Sequence, residues 1–369
     1  MSGNDPAADA RLMGLALAVG ARNLGLTWPN PSVGAVVADA AGRIAATGVT
    51  QVGGRPHAER VALEAAGAAV RGGTLYVTLE PCSHHGRTPP CVDAVLASGL
   101  ARVVVALTDP DPRVSGRGAR HLAERGVAVE TGLLAEAAAR DHRGHVKRVT
   151  RGLPAVTLKL ARTRDGYAAA AGPRLMITGE EAQGRVHLMR MHADAVLVGA
   201  GTAAADDPLL TVRLPGLAGR SPVRVVLDSR LSLAPAARLV ATAREVPTWI
   251  VAAEGAPVEP ERALVAAGVE VMRVGADAAG RVDAGEALRL LAARGITRVF
   301  CEGGPRLANA LAEADLVDEV ALLTGPATLG LEGLSAVGPA LARAIPERFR
   351  RIDARPAGPD LIETYERSA

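Results

Sequence analysis

His57, Cys82 and Cys91 constrain this chain more than any other feature of it. One imidazole and two thiolates make the three-ligand set of a catalytic zinc, whose fourth tetrahedral position stays open for water. Pro56 precedes His57 where a helix is expected to open, Cys82 follows an apolar strand, and Cys91 opens the next helix. A chain that gathers these three donors must therefore bring a helix start, a strand end and a second helix start to one point. Glu59 stands two residues past the histidine, close enough to handle the protons of a water without ligating the metal. Bound Zn2+ brings the pKa of such a water to about 7. A structural zinc would want a fourth protein ligand, and none lies nearby in sequence. A disulfide is the other alternative. Three cysteines and the absence of a secretory signal argue instead for a reducing, cytoplasmic setting.

At 369 residues the chain exceeds one ordinary core, so two domains are expected, 1–147 and 154–369. Aromatic residues make up only 2% against 49% hydrophobic, so the cores must be built from Ala, Val and Leu. The net charge of +3 is scattered, and Lys147 and Lys159 are the only lysines. No basic run suggests nucleic acid, and no stretch is long and apolar enough to span a membrane. The expected partners are small molecules and further copies of the chain in a homo-oligomer.

In the first domain the spacing predicts a helix over 9–22, a hairpin of strands 35–38 and 44–49, and a helix over 58–69. A strand over 74–79, a helix over 91–98 and strands 103–107 and 127–129 follow, giving an α/β layered domain that ends near 145. Pro29 and Pro31 fix the backbone around Asn30, which is expected to present its side chain to a substrate. An Asx turn starting the strand is the alternative. His84, His85 and Arg87 in the cysteine loop are candidates for gripping an anionic group, and Asp109–Gly118 is a second polar loop beyond a strand end.

The H-x-E and cysteine pair follow the pattern of zinc deaminases of nucleobase-type amidines, which commonly space the cysteines by two residues. Here Pro81-Cys82-Ser83-His84-His85-Gly86-Arg87-Thr88-Pro89-Pro90-Cys91 spaces them by eight. With His57-Ala58-Glu59 and the 109–118 loop, it resembles the deaminase half of bacterial bifunctional riboflavin-biosynthesis deaminase-reductases. The resemblance implies Zn2+ held by His57, Cys82 and Cys91, with Glu59 as proton shuttle. It also implies a diamino-hydroxypyrimidine substrate carrying a phosphoribosylamino group, which loses ammonia from ring carbon 2.

After a charged junction at 148–154, strands are expected at 155–160, 195–199, 223–228, 248–252, 269–274, 297–301 and 319–323, with helices at 284–293 and 305–313. Gly199-Ala200-Gly201-Thr202-Ala203-Ala204 fits the dinucleotide fingerprint in letters, but Asp206-Asp207-Pro208 stops the chain before the long helix which that fingerprint must open. Glu302-Gly303-Gly304-Pro305 is better placed for phosphate, just before a helix N-terminus.

Leu158-Lys159-Leu160-Ala161, Asp165-Gly166, Ile177-Thr178-Gly179, Gly201-Thr202 through Asp206 to Arg213, Val226-Leu227-Asp228-Ser229 and Glu302–Pro305 resemble the reductase half of the same enzymes. The implied fold is a cytidine-deaminase-like α/β/α domain followed by a dihydrofolate-reductase-like α/β domain. The implied cofactor is NADPH, held by Ala161, Thr202, Asp206, Ser229, Gly304, Pro305, Arg306, Leu307, Ala308, Asn309 and Ala310. Leu210, Arg213, Glu302 and Arg174 would meet the substrate, Arg213 through its phosphate. Lys159 lies in a matching motif without an assigned role. The family commonly has Ser-Leu where this chain has Thr163-Arg164, and Trp where it has Met176. That second segment helps form the nicotinamide pocket, so a deaminase with a weak or non-catalytic reductase-like domain is one rival reading. A nucleic-acid base deaminase is the other.

Overall fold

In the computed structural model the chain divides into two compact units, Met1–Leu153 and Pro154–Ala369. The structure describes residues 5–85, 89–169, 176–330 and 333–368.

The first unit runs α1 (Pro6–Ala21), β1 (Gly34–Ala38), β2 (Ile44–Val49), α2 (Ala58–Ala66), β3 (Thr74–Val77), α3 (Cys91–Ser98), β4 (Arg102–Val105), α4 (Arg117–Glu124), β5 (Ala128–Thr131) and α5 (Ala135–Arg151). Among the described residues its sheet has the order β2-β1-β3-β4-β5. β1 is antiparallel to β2 and β3, and β3, β4 and β5 are parallel. The strand period of two sorts side chains into two cores. Ala35, Val37, Leu75, Val77, Val103 and Val105 pack with residues of α2 and α3. Val36, Ala38, Tyr76 and Val104 pack with Met13 and Ala16 of α1 and Ala138 of α5. This is a three-layer α/β/α sandwich.

Small residues set how closely the layers approach. A Cβ added at Gly48 on β2 would lie 2.2 Å from the Ala58 carbonyl oxygen, so only glycine lets the first turn of α2 rest on the sheet. Two expectations need correcting. α2 ends at Ala66 and gives way to a tighter 3-10 turn over Gly67–Val70. The charged stretch expected as a linker belongs instead to α5, which continues to Arg151 and stops at Gly152 in the left-handed conformation.

The second unit runs β6 (Ala155–Arg162), β7 (Tyr167–Ala169), α6 (Glu180–Met191), β8 (Ala195–Gly199), α7 (Ala200–Asp206), β9 (Val223–Leu227), α8 (Arg238–Ala241), β10 (Thr248–Ala253), α9 (Val258–Ala266) and β11 (Glu270–Val274). It continues with α10 (Ala284–Ala293), β12 (Arg298–Cys301), α11 (Pro305–Glu313), β13 (Glu319–Thr324), β14 (Leu334–Ser335), α12 (Pro339–Arg348), β15 (Phe349–Ala357) and β16 (Asp360–Arg367). Its main sheet has the order β11-β10-β9-β8-β12-β6-β13-β16-β15 among the described residues. It is parallel from β11 to β13, with β16 and β15 added antiparallel.

The order reverses between β8 and β12, which makes their C-terminal ends the switch point where open α/β sheets bind ligands. Both glycine motifs follow those ends, Gly201-Thr202 after β8 and Gly303-Gly304 after β12. α7 is seven residues long and ends at Asp207 with φ 37°, so no dinucleotide-type helix forms there. The sequence did not announce α6 or the β15–β16 hairpin. They are joined at the hairpin tip, where the buried Asp360 carboxylate accepts the Gly179 N–H at 2.7 Å and so caps α6. No helix among the described residues is long and apolar enough to cross a membrane.

Candidate active sites

In the first unit His57 is the N-cap of α2, Cys82 follows β3, and Cys91 is the first residue of α3. The sheet brings these positions together. His57 Nδ1 lies 3.7 Å from Cys82 Sγ and 3.4 Å from Cys91 Sγ. All three donor atoms fall within 4.8 Å of one another. Ligands on one tetrahedral zinc at ordinary bond lengths are separated by about 3.5–3.8 Å, so the donor set fits that ion. The Cys91 N–H also donates to Cys82 Sγ at 3.3 Å, as a helix start does for an anion.

The three side chains shift one another's acidity. The hydrogen bond from Cys91 is the largest influence drawing the Cys82 thiol down to about 4, and the same bond, then burial, pushes Cys91 up. The hydrogen bond to Cys82 raises His57. Glu59 sits in the first turn of α2, 3% exposed, and burial raises its carboxyl above the usual range.

Asn30 does not form the alternative Asx turn. Its Nδ2 donates to Gly54 O at 2.8 Å and ties the Trp28–Ser32 turn to the loop that leads into His57. His84 is half-buried and His85 exposed, while Arg87 lies outside the described residues.

Sequence reasoning missed Glu80. Its buried carboxylate accepts from Asp109 N at 3.3 Å, Gly116 N at 2.9 Å and Ala119 N at 3.1 Å. It thereby fixes the 109–118 loop and the head of α4 two residues before Cys82. His145 of α5 braces the same loop through Asp109 Oδ1 at 3.1 Å. The available signal was a lone acid between an apolar strand and Pro81, a poor place for an unpartnered charge.

The second unit holds a cleft of 1780 Å³ at its switch point. Ala161, Thr202, Asp206, Ser229, Gly304, Pro305, Arg306, Leu307 and Ala310 all line it. Ala308 and Asn309 do not. Ala308 is fully buried, and Asn309 spends its amide on Ala340 N at 2.9 Å and Glu313 Oε1 at 2.7 Å, because consecutive residues of α11 face different ways. Thr202 Oγ1 accepts the Gly304 N–H at 3.1 Å, so the two glycine motifs lock together. A Cβ at Gly304 would close to 3.4 Å of that hydroxyl. The glycine therefore leaves a bare backbone cradle at the head of α11, which fits a pyrophosphate.

Leu210, Arg213, Glu302 and Lys159 also line the cleft, while Arg174 lies outside the described residues. Glu302 is gripped by Arg190 of α6 through Nε at 2.7 Å and Nη2 at 3.0 Å. Burial alone would push the Glu302 carboxyl up, but Arg190, aided by Lys159, outweighs it and holds the group ionised. Arg190 Nη1 faces His187 Nδ1 at 3.3 Å, and the Arg213 N–H donates to that nitrogen at 3.4 Å. Burial, then the charges of Arg190 and Arg213, lower the His187 pKa, consistent with a neutral acceptor. His187 and Arg190 were missed because α6 was missed. Their three-residue spacing puts them on one helix face.

The departures at Thr163 and Met176 differ in kind. The buried Thr163 hydroxyl donates to Asp165 Oδ1 at 2.6 Å and accepts the Tyr167 N–H at 3.0 Å, closing its own turn. Met176 is 60% exposed at the cleft wall.

Residues 154–362 match the family model "RibD C-terminal domain", and residues 6–107 match "Cytidine and deoxycytidylate deaminase zinc-binding region". The riboflavin biosynthesis protein RibD of Escherichia coli is 38% identical over 96% of this chain and 98% of its own length. That of Aquifex aeolicus is 38% identical over 97% of this chain and 98% of its own. Among solved structures, Acinetobacter baumannii RibD is 31% identical with a TM-score of 0.86, covering 99% of this chain and 100% of that one. The Thermotoga maritima diaminohydroxyphosphoribosylaminopyrimidine deaminase/5-amino-6-(5-phosphoribosylamino)uracil reductase is 33% identical with a TM-score of 0.85 and the same coverage. The chain therefore belongs to the RibD family of bifunctional deaminase-reductases of riboflavin biosynthesis.

Proposed function

We propose that the first unit removes ammonia from ring carbon 2 of the diamino-hydroxypyrimidine carrying a phosphoribosylamino group, and that the second reduces the ribosyl group of the deaminated product. The convergence of His57 Nδ1 on two cysteine sulfurs beside a buried carboxylate carries the first half of this reading. His57, Cys82 and Cys91 would hold Zn2+, which when bound polarises a water and brings its pKa to about 7. Glu59 then takes the two protons of that water in turn and passes one to the ring nitrogen and the other to the departing amine, so that water in and ammonia out balance. Asn30 and the Glu80-braced 109–118 loop flank this centre and orient the substrate.

In the second unit the head of α11, Thr202, Asp206, Ser229 and Ala161 would hold NADPH. When bound, the cofactor would supply a hydride for ribose C1 in its open imine form, and the imine nitrogen takes a proton from solvent, giving a ribitylamino product. Leu210, Arg213 and Glu302 would hold the substrate, Arg213 at its phosphate. Free thiols at the zinc centre suit a reducing cytoplasm. Assembly as a homo-oligomer, without nucleic-acid or membrane partners, completes the reading.

Elemental analysis with two separate assays tests it. Wild type should carry about one zinc per chain, release ammonia and oxidise NADPH. Cys91→Ser should lose zinc and ammonia release together. Full zinc in that variant would remove Cys91 from the ligand set.

A further inference from the structure

We propose that Arg238 is a second phosphate-gripping arginine of the reductase cleft, closing with Arg213 on the 5-phosphate of the substrate. The proposal rests on the reading of the second unit given above.

Three guanidinium groups line one part of this cleft: Arg190 on α6, Arg213 beyond α7, and Arg238 at the head of α8. The charge of Arg190 is already matched by both carboxylate oxygens of Glu302. Neither Arg213 nor Arg238 has a carboxylate partner for its guanidinium among the described residues. Asp207, which touches Arg238 from 31 positions earlier in the chain, does not neutralise it. Its Oδ1 accepts the Arg238 backbone N–H at 2.8 Å, while the guanidinium Nη1 reaches only the Asp207 carbonyl oxygen at 3.5 Å. That second contact lays the side chain along the segment leading to Leu210 and Arg213.

Burial, then the charges of Arg190 and Arg238, lower the Arg213 pKa against the opposing charge of Glu302. Two exposed cations at the cleft, neither with a carboxylate partner among the described residues, complement a phosphate monoester, which carries roughly −1.5 to −2 at neutral pH. Guanidinium forks also match its oxygens better than point charges do. A cofactor phosphate is the other source of this chemistry. The substrate is favoured because Arg238 is tied to the Asp207–Arg213 segment, whereas the bare-backbone cradle for the cofactor lies at Thr202 and Gly304.

The test uses the full chain with Arg238→Gln and Arg238→Lys. Either substitution leaves the backbone N–H that Asp207 accepts. Reductase KM is measured with the phosphorylated intermediate and with its dephosphorylated form, beside NADPH titration by fluorescence and ribose 5-phosphate titration by calorimetry. Arg238→Gln should raise KM for the phosphorylated form by roughly tenfold or more, as loss of one charged hydrogen bond does. It should weaken ribose 5-phosphate binding and leave KM for the dephosphorylated form, NADPH affinity and ammonia release unchanged. Arg238→Lys should recover part of the loss.

Equal preference for the phosphorylated form in wild type and Arg238→Gln would overturn the proposal. So would loss of NADPH affinity with unchanged substrate KM, which would hand Arg238 to the cofactor. Failure of the wild type to reduce the phosphorylated intermediate with NADPH would instead sink the underlying reading of the unit.

Discussion

Individual side chains here do different work according to how they are buried and matched. Arg224 is 0% exposed and forms no ion pair with a carboxylate among the described residues. It bonds Leu209 O at 3.2 Å, Val246 O at 2.8 Å and Thr248 Oγ1 at 2.6 Å, and burial lowers its pKa to about 10. Its charge is spread over backbone carbonyls, so it anchors the chain just before Leu210 instead of binding a ligand. His192 shows the opposite economy. Burial, then the charges of Arg298 and Arg220, hold its pKa down to about 4 from an ordinary 6.5.

A base with a lowered folded pKa stabilises the fold fully above its unfolded pKa and loses that contribution as pH falls toward the folded one. The window therefore runs from about pH 6.5 down to about 4, and at pH 5 roughly 2 kcal/mol of this contribution should be gone. Urea unfolding at pH 7.5 and 5.0 checks this. Wild type should lose more stability between the two than His192→Gln, in which Asp194 and the other carboxylates titrate as before. Equal losses would show that His192 is not charged on unfolding in that range.

At the scale of elements, the first unit's site depends on how closely α2 lies on β2. A Cβ at Gly48 would meet the Ala58 carbonyl oxygen at 2.2 Å and the Ala62 nitrogen at 2.6 Å, both backbone atoms that cannot rotate aside. Gly48→Ala should therefore push the first turn of α2 outward and carry His57 and Glu59 with it. Overpacking of this kind costs about 1–3 kcal/mol. Thermal unfolding should show that loss, and zinc content and ammonia release should fall with NADPH oxidation unaffected. Retention of full zinc and deamination would mean that α2 tolerates the shift.

The elements also differ in how far they could be read from sequence. The helices at Cys91–Ser98, Ala284–Ala293 and Pro305–Glu313 have the expected bounds because a proline or an Asp N-cap marks their starts. β15 has no alternation to read: it is an edge strand exposed at most positions. α6 hides for another reason. It buries His187 and Arg190 toward a polar cleft, which erases the apolar stripe by which helices are recognised.

For the whole molecule, separate cores imply separable activities. Glu59→Gln preserves the shape of the side chain and leaves the three donors untouched, so zinc should remain. Ammonia release should fall by about 10²–10⁴-fold, the usual contribution of a general acid–base group. NADPH oxidation with deaminated intermediate supplied should continue near its original rate, read by absorbance. Loss of both activities with zinc and fold intact would show that the two sites are coupled.

The sequence by itself determined the donors, the nearby carboxylate, the alternation of strands and helices, and the failure of Gly199–Ala204 as a dinucleotide fingerprint. Each of these is written in local spacing and in where proline or glycine stands. Only the tertiary structure decided that Asn30 bonds Gly54, that Glu80 braces the 109–118 loop, and that Ala308 and Asn309 turn away from the cleft. It also decided that Arg190 pairs with Glu302, while no carboxylate among the described residues forms an ion pair with Arg213 or Arg238. These outcomes join residues up to 112 positions apart. Which charge meets which carboxylate depends on strand order and helix facing, and no local window of sequence encodes either.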